Sequence, residues 1–333
     1  MSQSRPWTGT ALHELAMGHF MVARVLQVAA ELDLFTHLAA EPVPVGALAT
    51  RLGVNRRGLE ALVVACTALQ LVEKTPRGYR TAATVSDLLV AGRPGNLAPL
   101  LAGASGVYRD WATLDQAVRT GEASAPSQRE KGPEALRAFL LEMHRAALPV
   151  AQVVANAVDL PAAEQLLDIG SGLGTFALAL CGRFPELRAT LLDLPDVIAI
   201  ADTLLPHDEL GARLQTLAAD YHQDPLPSGQ DVALLCNVLH QEEEAKVRQL
   251  LRQAHTALRS RGVLVVLDAV LDDDKAGPLS VALGALNQLI HQTGATYYSA
   301  AELIGWLRGA GFTKVAAKPF PLPNQALLFA TKT

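Results

Sequence analysis

Four aspartates and one histidine stand where runs of apolar residues stop. Leu166-Leu167-Asp168-Ile169 leads straight into Gly170-Ser171-Gly172-Leu173-Gly174, and a second apolar run, Ala189 to Leu192, ends at Asp193. Glycines let a ligand approach backbone closely, and the N-terminus of a following helix presents free N–H groups. An acid ending the second strand can accept from both hydroxyls of a ribose. Asp220-Tyr221 closes a third run and offers a carboxylate and a ring, a pair suited to the amine and the face of an adenine. His240 lies just past a fourth run, four residues after Cys236, and Asp268 ends a fifth. A neutral imidazole there can take the proton of an attacking hydroxyl, and an acid at a neighbouring strand end is the usual means of orienting such a base.

The glycine spacing separates two nucleotide-like ligands. A dinucleotide fingerprint has its third glycine three residues after the second, and that position is Thr175. The spacing is Gly170-x-Gly172-x-Gly174, with Asp193 23 residues beyond Gly170. This favours S-adenosylmethionine over a pyrophosphate-bearing dinucleotide. The plainer alternative is a tight β–α turn that binds nothing.

The elements that must position these residues follow from hydrophobic period. Helix Thr175–Arg183 and strands Leu214–Ala218, Val232–Leu235, Gly262–Asp268 and Gln325–Ala330 alternate with helices over 242–258, 279–290 and 299–309. That pattern predicts an α/β, Rossmann-like doubly wound domain whose strand ends line one ligand-binding edge. Upstream, helices within 11–40 and 46–54, a helix with Asn55 as N-cap and a hairpin around Pro76-Arg77-Gly78 make an all-helical winged-helix domain with a short wing. The helix Leu59–Leu71 is so apolar that it is expected to be buried all round and to serve protein contacts rather than DNA. The domains are placed at 1–120 (winged helix), 121–160 (linker and a long helix toward the acceptor pocket) and 161–333.

Composition narrows the class. The chain has 333 residues, half of them hydrophobic, and a net charge of −5, so a DNA-binding regulator is disfavoured. Cys66, Cys181 and Cys236 are scattered without a CxxC, which points away from disulfides and zinc clusters. The first residues lack a signal-peptide core and no apolar run reaches membrane-spanning length, so a soluble, cytoplasmic protein without a membrane partner is expected.

Taken together, YRDWATLDQAVRTGE at 108–122, LDIGSGLGTF at 167–176, LLDLPDV at 191–197, VLH at 238–240 and GAGF at 309–312 resemble the small-molecule O-methyltransferases of plants and bacteria, the caffeate, acetylserotonin and hydroxyneurosporene type. The resemblance spans nearly the whole chain. It implies an S-adenosylmethionine-dependent enzyme yielding S-adenosylhomocysteine, a homodimer built through the N-terminal domain, and a histidine base acting on a hydroxyl, expected to be phenolic, of a small natural product. By position it implies cofactor contacts at Asp168, Gly170, Ser171, Gly172, Asp193, Leu194, Asp220, Tyr221, Cys236 and Asn237, with His240 as the base and Asp268 as its first orienting acid. Trp111, Met143, His144, Asn237, Gln288 and His291 are the expected acceptor contacts. Three departures stand out: Gln241 and Glu242 occupy positions where the family usually has Asp and Trp, Cys236 replaces a lysine-type contact, and Tyr297 or a neighbour stands where a second orienting acid is expected. No metal is expected, but His240, Asp268 and His291 leave open a metal-assisted C- or N-methyltransferase. The weakened acid pair also leaves open a homologue that binds the cofactor without methylating.

Overall fold

A computed structural model describes residues 7–160, 162–205, 208, 210–318 and 320–333, which divide into two compact units, Met1–Ala112 and Thr113–Thr333. The first unit begins with α1 (Gly9–His13), a π-helical turn over Glu14–Gly18, and α2 (His19–Glu31). It continues through α3 (Leu34–His37), α4 (Val45–Leu52) and α5 (Arg56–Ala68) to a hairpin of β1 (Val72–Thr75) and β2 (Gly78–Thr81). The Asn55 side chain caps α5 by accepting from the Gly58 N–H at 3.1 Å, satisfying a donor that the first helical turn cannot. Helices α6 (Ser86–Leu89) and α7 (Ala98–Trp111) complete the unit. Leu34, Phe35, Leu38, Leu48, Leu59, Val63 and Cys66 form its core. Contrary to the expectation of all-round burial, α5 buries only Leu59, Val63 and Cys66 and leaves Val64 53% exposed. Apolar residues outside that stripe face outward.

The second unit opens with α8 (Leu114–Thr120) and α9 (Pro133–Ala157), which runs through Pro149. Then strands and helices alternate: β3 (Gln165–Ile169), α10 (Thr175–Arg183), β4 (Arg188–Asp193), α11 (Pro195–Ala201), β5 (Leu214–Ala218), β6 (Gln230–Cys236), α12 (Glu244–Ala257) and β7 (Leu258–Ala269). The chain ends with α13 (Leu279–His291), α14 (Ala300–Gly309), β8 (Lys314–Lys318) and β9 (Gln325–Thr331). The sheet order is β5-β4-β3-β6-β7-β9-β8, parallel from β5 to β7, with β9 antiparallel to β7 and to β8. Strand β8 is not among the strands expected from hydrophobic period. It is a short edge strand with lysine at both ends and little burial, so it shows no apolar alternation.

Period-two alternation sends the strand side chains to opposite faces. Leu167, Ile169, Ala233 and Leu235 pack on α12 and α14, while Leu166, Val232 and Leu234 pack on α9 and α10. Every residue of β6 is buried, as a central parallel strand covered on both faces requires. The chain leaves β3 for β4 and β5, then returns to β6 on the other side of β3. The switch point therefore lies beyond the carboxyl ends of β3 and β6, where a crevice opens in such sheets.

Candidate active site

The turn after β3 is shaped by its glycines and by Asp193. Gly170 has φ +70°, and a Cβ there would sit 2.8 Å from Val238 Cγ2, so only glycine fits. Gly172, at φ +54°, faces open space, which leaves its backbone accessible to a ligand. The Gly170 and Ser171 N–H groups donate to Leu192 O at 2.9 and 3.1 Å, pinning the turn to the end of β4. Asp193 secures the other side. Its Oδ2 accepts from Gly172 N at 2.8 Å and its Oδ1 from Leu194 N at 2.7 Å. Burial raises its pKa above the ordinary carboxylate value, and these two N–H groups pull it back down.

Asp168 is 2% exposed at the end of β3. Burial pushes its carboxyl up to about 7, against the pull of the Ala177 N–H, and the charge of Asp193 adds to the rise. Its Oδ2 and the Ser171 Oγ are buried without a hydrogen-bond partner. Two buried polar atoms without a partner, an open glycine backbone and two carboxyls whose charged forms a cation would favour fit a cationic ligand with a ribose. S-adenosylmethionine, with its sulfonium, ammonium and ribose, matches this donor and acceptor set.

The catalytic candidates meet beyond β6 and β7. Asn237, at φ +59°, turns the chain as its N–H donates to Leu267 O at 2.7 Å, and Asn tolerates that conformation better than most residues. A 3-10 turn, Leu239–Gln241, then presents His240. Its Nδ1 lies 2.7 Å from Asp268 Oδ1, and its backbone N–H donates to Asp268 Oδ2 at 3.2 Å. A buried carboxylate facing Nδ1 leaves Nε2 as the nitrogen for an acceptor. Tyr297 stacks on the imidazole with centroids 4.6 Å apart and planes 4° apart. The Gln288 side chain hydrogen-bonds the Tyr297 hydroxyl, whose pKa is raised by burial and by the charge of Asp268. The Tyr297 ring thus braces the imidazole by contact.

Other candidates lie elsewhere. Cys236 ends β6 inside the core that faces α9 and α10, its thiol pushed up by burial. Asp220 organises its own loop, accepting from His222 N at 2.9 Å and Gln223 Nε2 at 2.7 Å. The Tyr221 hydroxyl donates to Glu242 Oε1 at 2.8 Å, so this ring is tied to the segment after His240. Met143 is 44% exposed on α9. His144 Nδ1 lies 2.8 Å from Thr175 Oγ1, beside a groove of about 440 Å³ between α9 and α10. Burial, with the charge of Arg145, lowers its pKa. Trp111 is the last residue of α7 in the first unit. The metal alternative finds no support: His291 Nδ1 hydrogen-bonds its own helix at Asn287 O, 2.8 Å away, and no group of three His, Cys, Asp or Glu among the described residues could hold a metal. The sequence marks Glu242 only as a departure from the family and does not reveal that its carboxylate is 4% exposed, because one more glutamate in Glu242-Glu243-Glu244 reads as a solvated helix start.

Residues 113–313 match the O-methyltransferase domain family, and residues 14–92 match the O-methyltransferase dimerisation domain. The chain is 34% identical over 326 residues to 3-hydroxy-5-methyl-1-naphthoate 3-O-methyltransferase of Streptomyces sahachiroi, covering 95% of this chain and 92% of that one. It is 33% identical to the tetracenomycin polyketide synthesis 8-O-methyl transferase TcmO of Streptomyces glaucescens, with 89% of each covered. Among solved structures, human N-acetylserotonin methyltransferase in complex with S-adenosylmethionine superimposes with a TM-score of 0.79 at 27% identity, over 100% of this chain and 99% of that one. No described helix is long and apolar enough to cross a membrane.

Proposed function

This chain belongs to the S-adenosylmethionine-dependent O-methyltransferase family, and from that premise we propose that it methylates a phenolic hydroxyl of a small aromatic natural product with His240 as general base. The observation that carries this reading is His240 itself: Nδ1 is engaged by Asp268 at 2.7 Å, the ring is braced by Tyr297, and Nε2 is left for a proton. The naphthoate and polyketide acceptors named for the two Streptomyces relatives support an aromatic hydroxyl as the target.

Asp168, Gly170, Ser171, Gly172 and Asp193 with Leu194 would hold the cofactor, with Asp220 and Tyr221 nearer its base. Bound there, it supplies an electrophilic methyl on a sulfonium. His240 receives the acceptor's proton as the oxygen becomes nucleophilic, and Asp268 stabilises the imidazolium that results. Proton removal of this kind contributes on the order of 10²–10⁴-fold, with the larger share coming from holding the two reactants together. Gln288, through Tyr297, keeps the imidazole plane fixed. His144, Met143, Asn237 and His291 remain the proposed acceptor contacts.

The match to the dimerisation domain supports a homodimer, and so do exposed apolar residues of the first unit. Leu12, Leu15, Met17, Phe20, Met21 and Val22 are each at least 42% exposed on its leading helices. The test of the reaction is transfer of labelled methyl from S-adenosylmethionine to a panel of hydroxylated naphthoates and related phenols. His240→Ala is expected to lose turnover at least a hundredfold while cofactor affinity by calorimetry is unchanged. Turnover preserved in that variant would remove His240 as the base.

A further inference from the structure

We propose that Glu242 is a positioning residue that sets the loop carrying Asp220 against the segment carrying His240, so that cofactor affinity depends on a carboxylate that never touches the cofactor. The inference rests on the reading of this site as an S-adenosylmethionine-dependent methyltransferase.

Glu242 follows His240 by two residues, where the resembling family usually carries Trp, and its side chain is almost fully buried. A buried carboxylate is tolerated only when donors surround it. Both donors here come from one loop: the Tyr221 hydroxyl and His222 Nε2 each lie 2.8 Å from Glu242 Oε1. The two donor rings pack edge to face, 4.5 Å between centroids. Burial, and the charge of Glu242, keep the Tyr221 pKa far above its ordinary value, so its hydroxyl stays a donor. The same loop fixes Asp220, whose carboxylate accepts from the His222 N–H and the Gln223 side chain.

The other end of the clamp reaches the base. The Glu242 carbonyl accepts from the Tyr298 hydroxyl at 2.6 Å, and Tyr298 is the neighbour of the ring that stacks on His240. Gln241 O accepts from Gln292 Nε2 at 2.7 Å, and Gln241 Nε2 donates to Asn237 O at 2.9 Å. The segment 240–242 is thus held along its whole length, and Glu242 is its sole side-chain link to the Asp220 loop among the hydrogen bonds described. Replacing a family indole by a carboxylate is matched here by two donors facing it, which makes the three residues one unit.

The experiment is calorimetric titration of the full-length protein with S-adenosylhomocysteine, alongside steady-state methyl transfer. Glu242→Ala is expected to raise the Kd, and the KM for S-adenosylmethionine, at least tenfold while kcat falls less than threefold. Glu242→Gln retains an acceptor for Tyr221 and is expected to stay within threefold of wild type. In a double-mutant cycle, adding Tyr221→Phe to Glu242→Ala is expected to cost little more than Glu242→Ala alone. Wild-type affinity in Glu242→Ala, a loss confined to kcat, or an additive cycle would each overturn the proposal. If Glu242→Ala shows no cooperative melting, Tyr221→Phe and His222→Gln decide instead: weaker cofactor binding in both supports the clamp, and unchanged binding in both sinks it. A wild-type protein that binds no S-adenosylhomocysteine would refute the methyltransferase reading itself, whereas the clamp fails on the ratio between variant and wild type.

Discussion

Replacing Asp268 by Asn tests the base most sharply, because the change is nearly isosteric, removes the charge and turns one acceptor oxygen into a donor. The carboxylate accepts from three donors: His240 Nδ1 at 2.7 Å, His240 N at 3.2 Å and Ala269 N at 2.9 Å. The Asn oxygen can still accept from His240 Nδ1 and Ala269 N, and only the longer bond from His240 N is given up. What disappears is the attraction between a carboxylate and the imidazolium that forms as the acceptor loses its proton. A hydrogen bond to a charged partner is worth about 1.5–3 kcal/mol. Opposite charges about 4 Å apart, at the effective dielectric of a protein site, attract by ~4 kcal/mol. The Asp268 side chain is 2% exposed and His240 12%, so solvent screens this pair little. The expected loss in kcat is therefore roughly 10- to 1,000-fold. Initial rates at saturating S-adenosylmethionine measure it, with calorimetry as the control. The hydrogen bonds described for Asp268 go to His240 and Ala269 and not to the Gly170–Gly174 turn, so affinity for S-adenosylhomocysteine should stay within twofold. A rate within threefold of wild type would refute the assignment, and so would a parallel collapse of cofactor binding.

Asp193→Ala removes both the anchor of Gly172 and Leu194 and the proposed acceptor of the ribose hydroxyls, so cofactor affinity should fall about 10- to 100-fold, some 1.5–3 kcal/mol; calorimetry reads it directly. Asp168 is raised to about 7 in the folded protein, so between the ordinary carboxylate value and about 7 the folded state binds a proton that the unfolded chain releases. Its contribution to stability is present at low pH and lost as pH rises through that window, by at most about 4 kcal/mol. Asp168→Asn should therefore melt progressively higher relative to wild type from pH 4 to pH 8, and a constant difference across that range would contradict the buried acid. Gly284→Ala on α13 places a Cβ 3.1 Å from Tyr297 Cε2 and should shift the ring that braces His240. Turnover is expected to fall several-fold with cofactor affinity intact, whereas Tyr297→Phe, which keeps the stack and loses only the Gln288 hydrogen bond, should lose less.

Local pattern was enough for the features that depend on neighbours in sequence. The five-residue glycine turn, the helix that follows it at Thr175–Arg183 and the strand Leu214–Ala218 have the bounds expected, because turn chemistry and hydrophobic period are short-range signals. Strand β8 escaped for the complementary reason: its residues pair with β9 at the sheet edge but bury little, so the pattern carried no period. Strand ends could also be read as lying on one edge, which placed His240 and Asp268 in the same region before any coordinates.

What local pattern could not supply is which side chains meet across that edge. Asp268 reaches His240 because β6 and β7 are adjacent parallel strands in register, Cys236 beside Leu267, a pairing between residues about thirty apart. Tyr297 comes from the loop before α14 to stack on the same imidazole, and Glu242 finds Tyr221 and His222 twenty residues back on another strand's loop. The sequence by itself determined the turn, the cofactor class and the family. Only the tertiary structure decided how His240 is held and why a glutamate two residues beyond it is buried, since hydrogen bonds and ring contacts depend on distance in space.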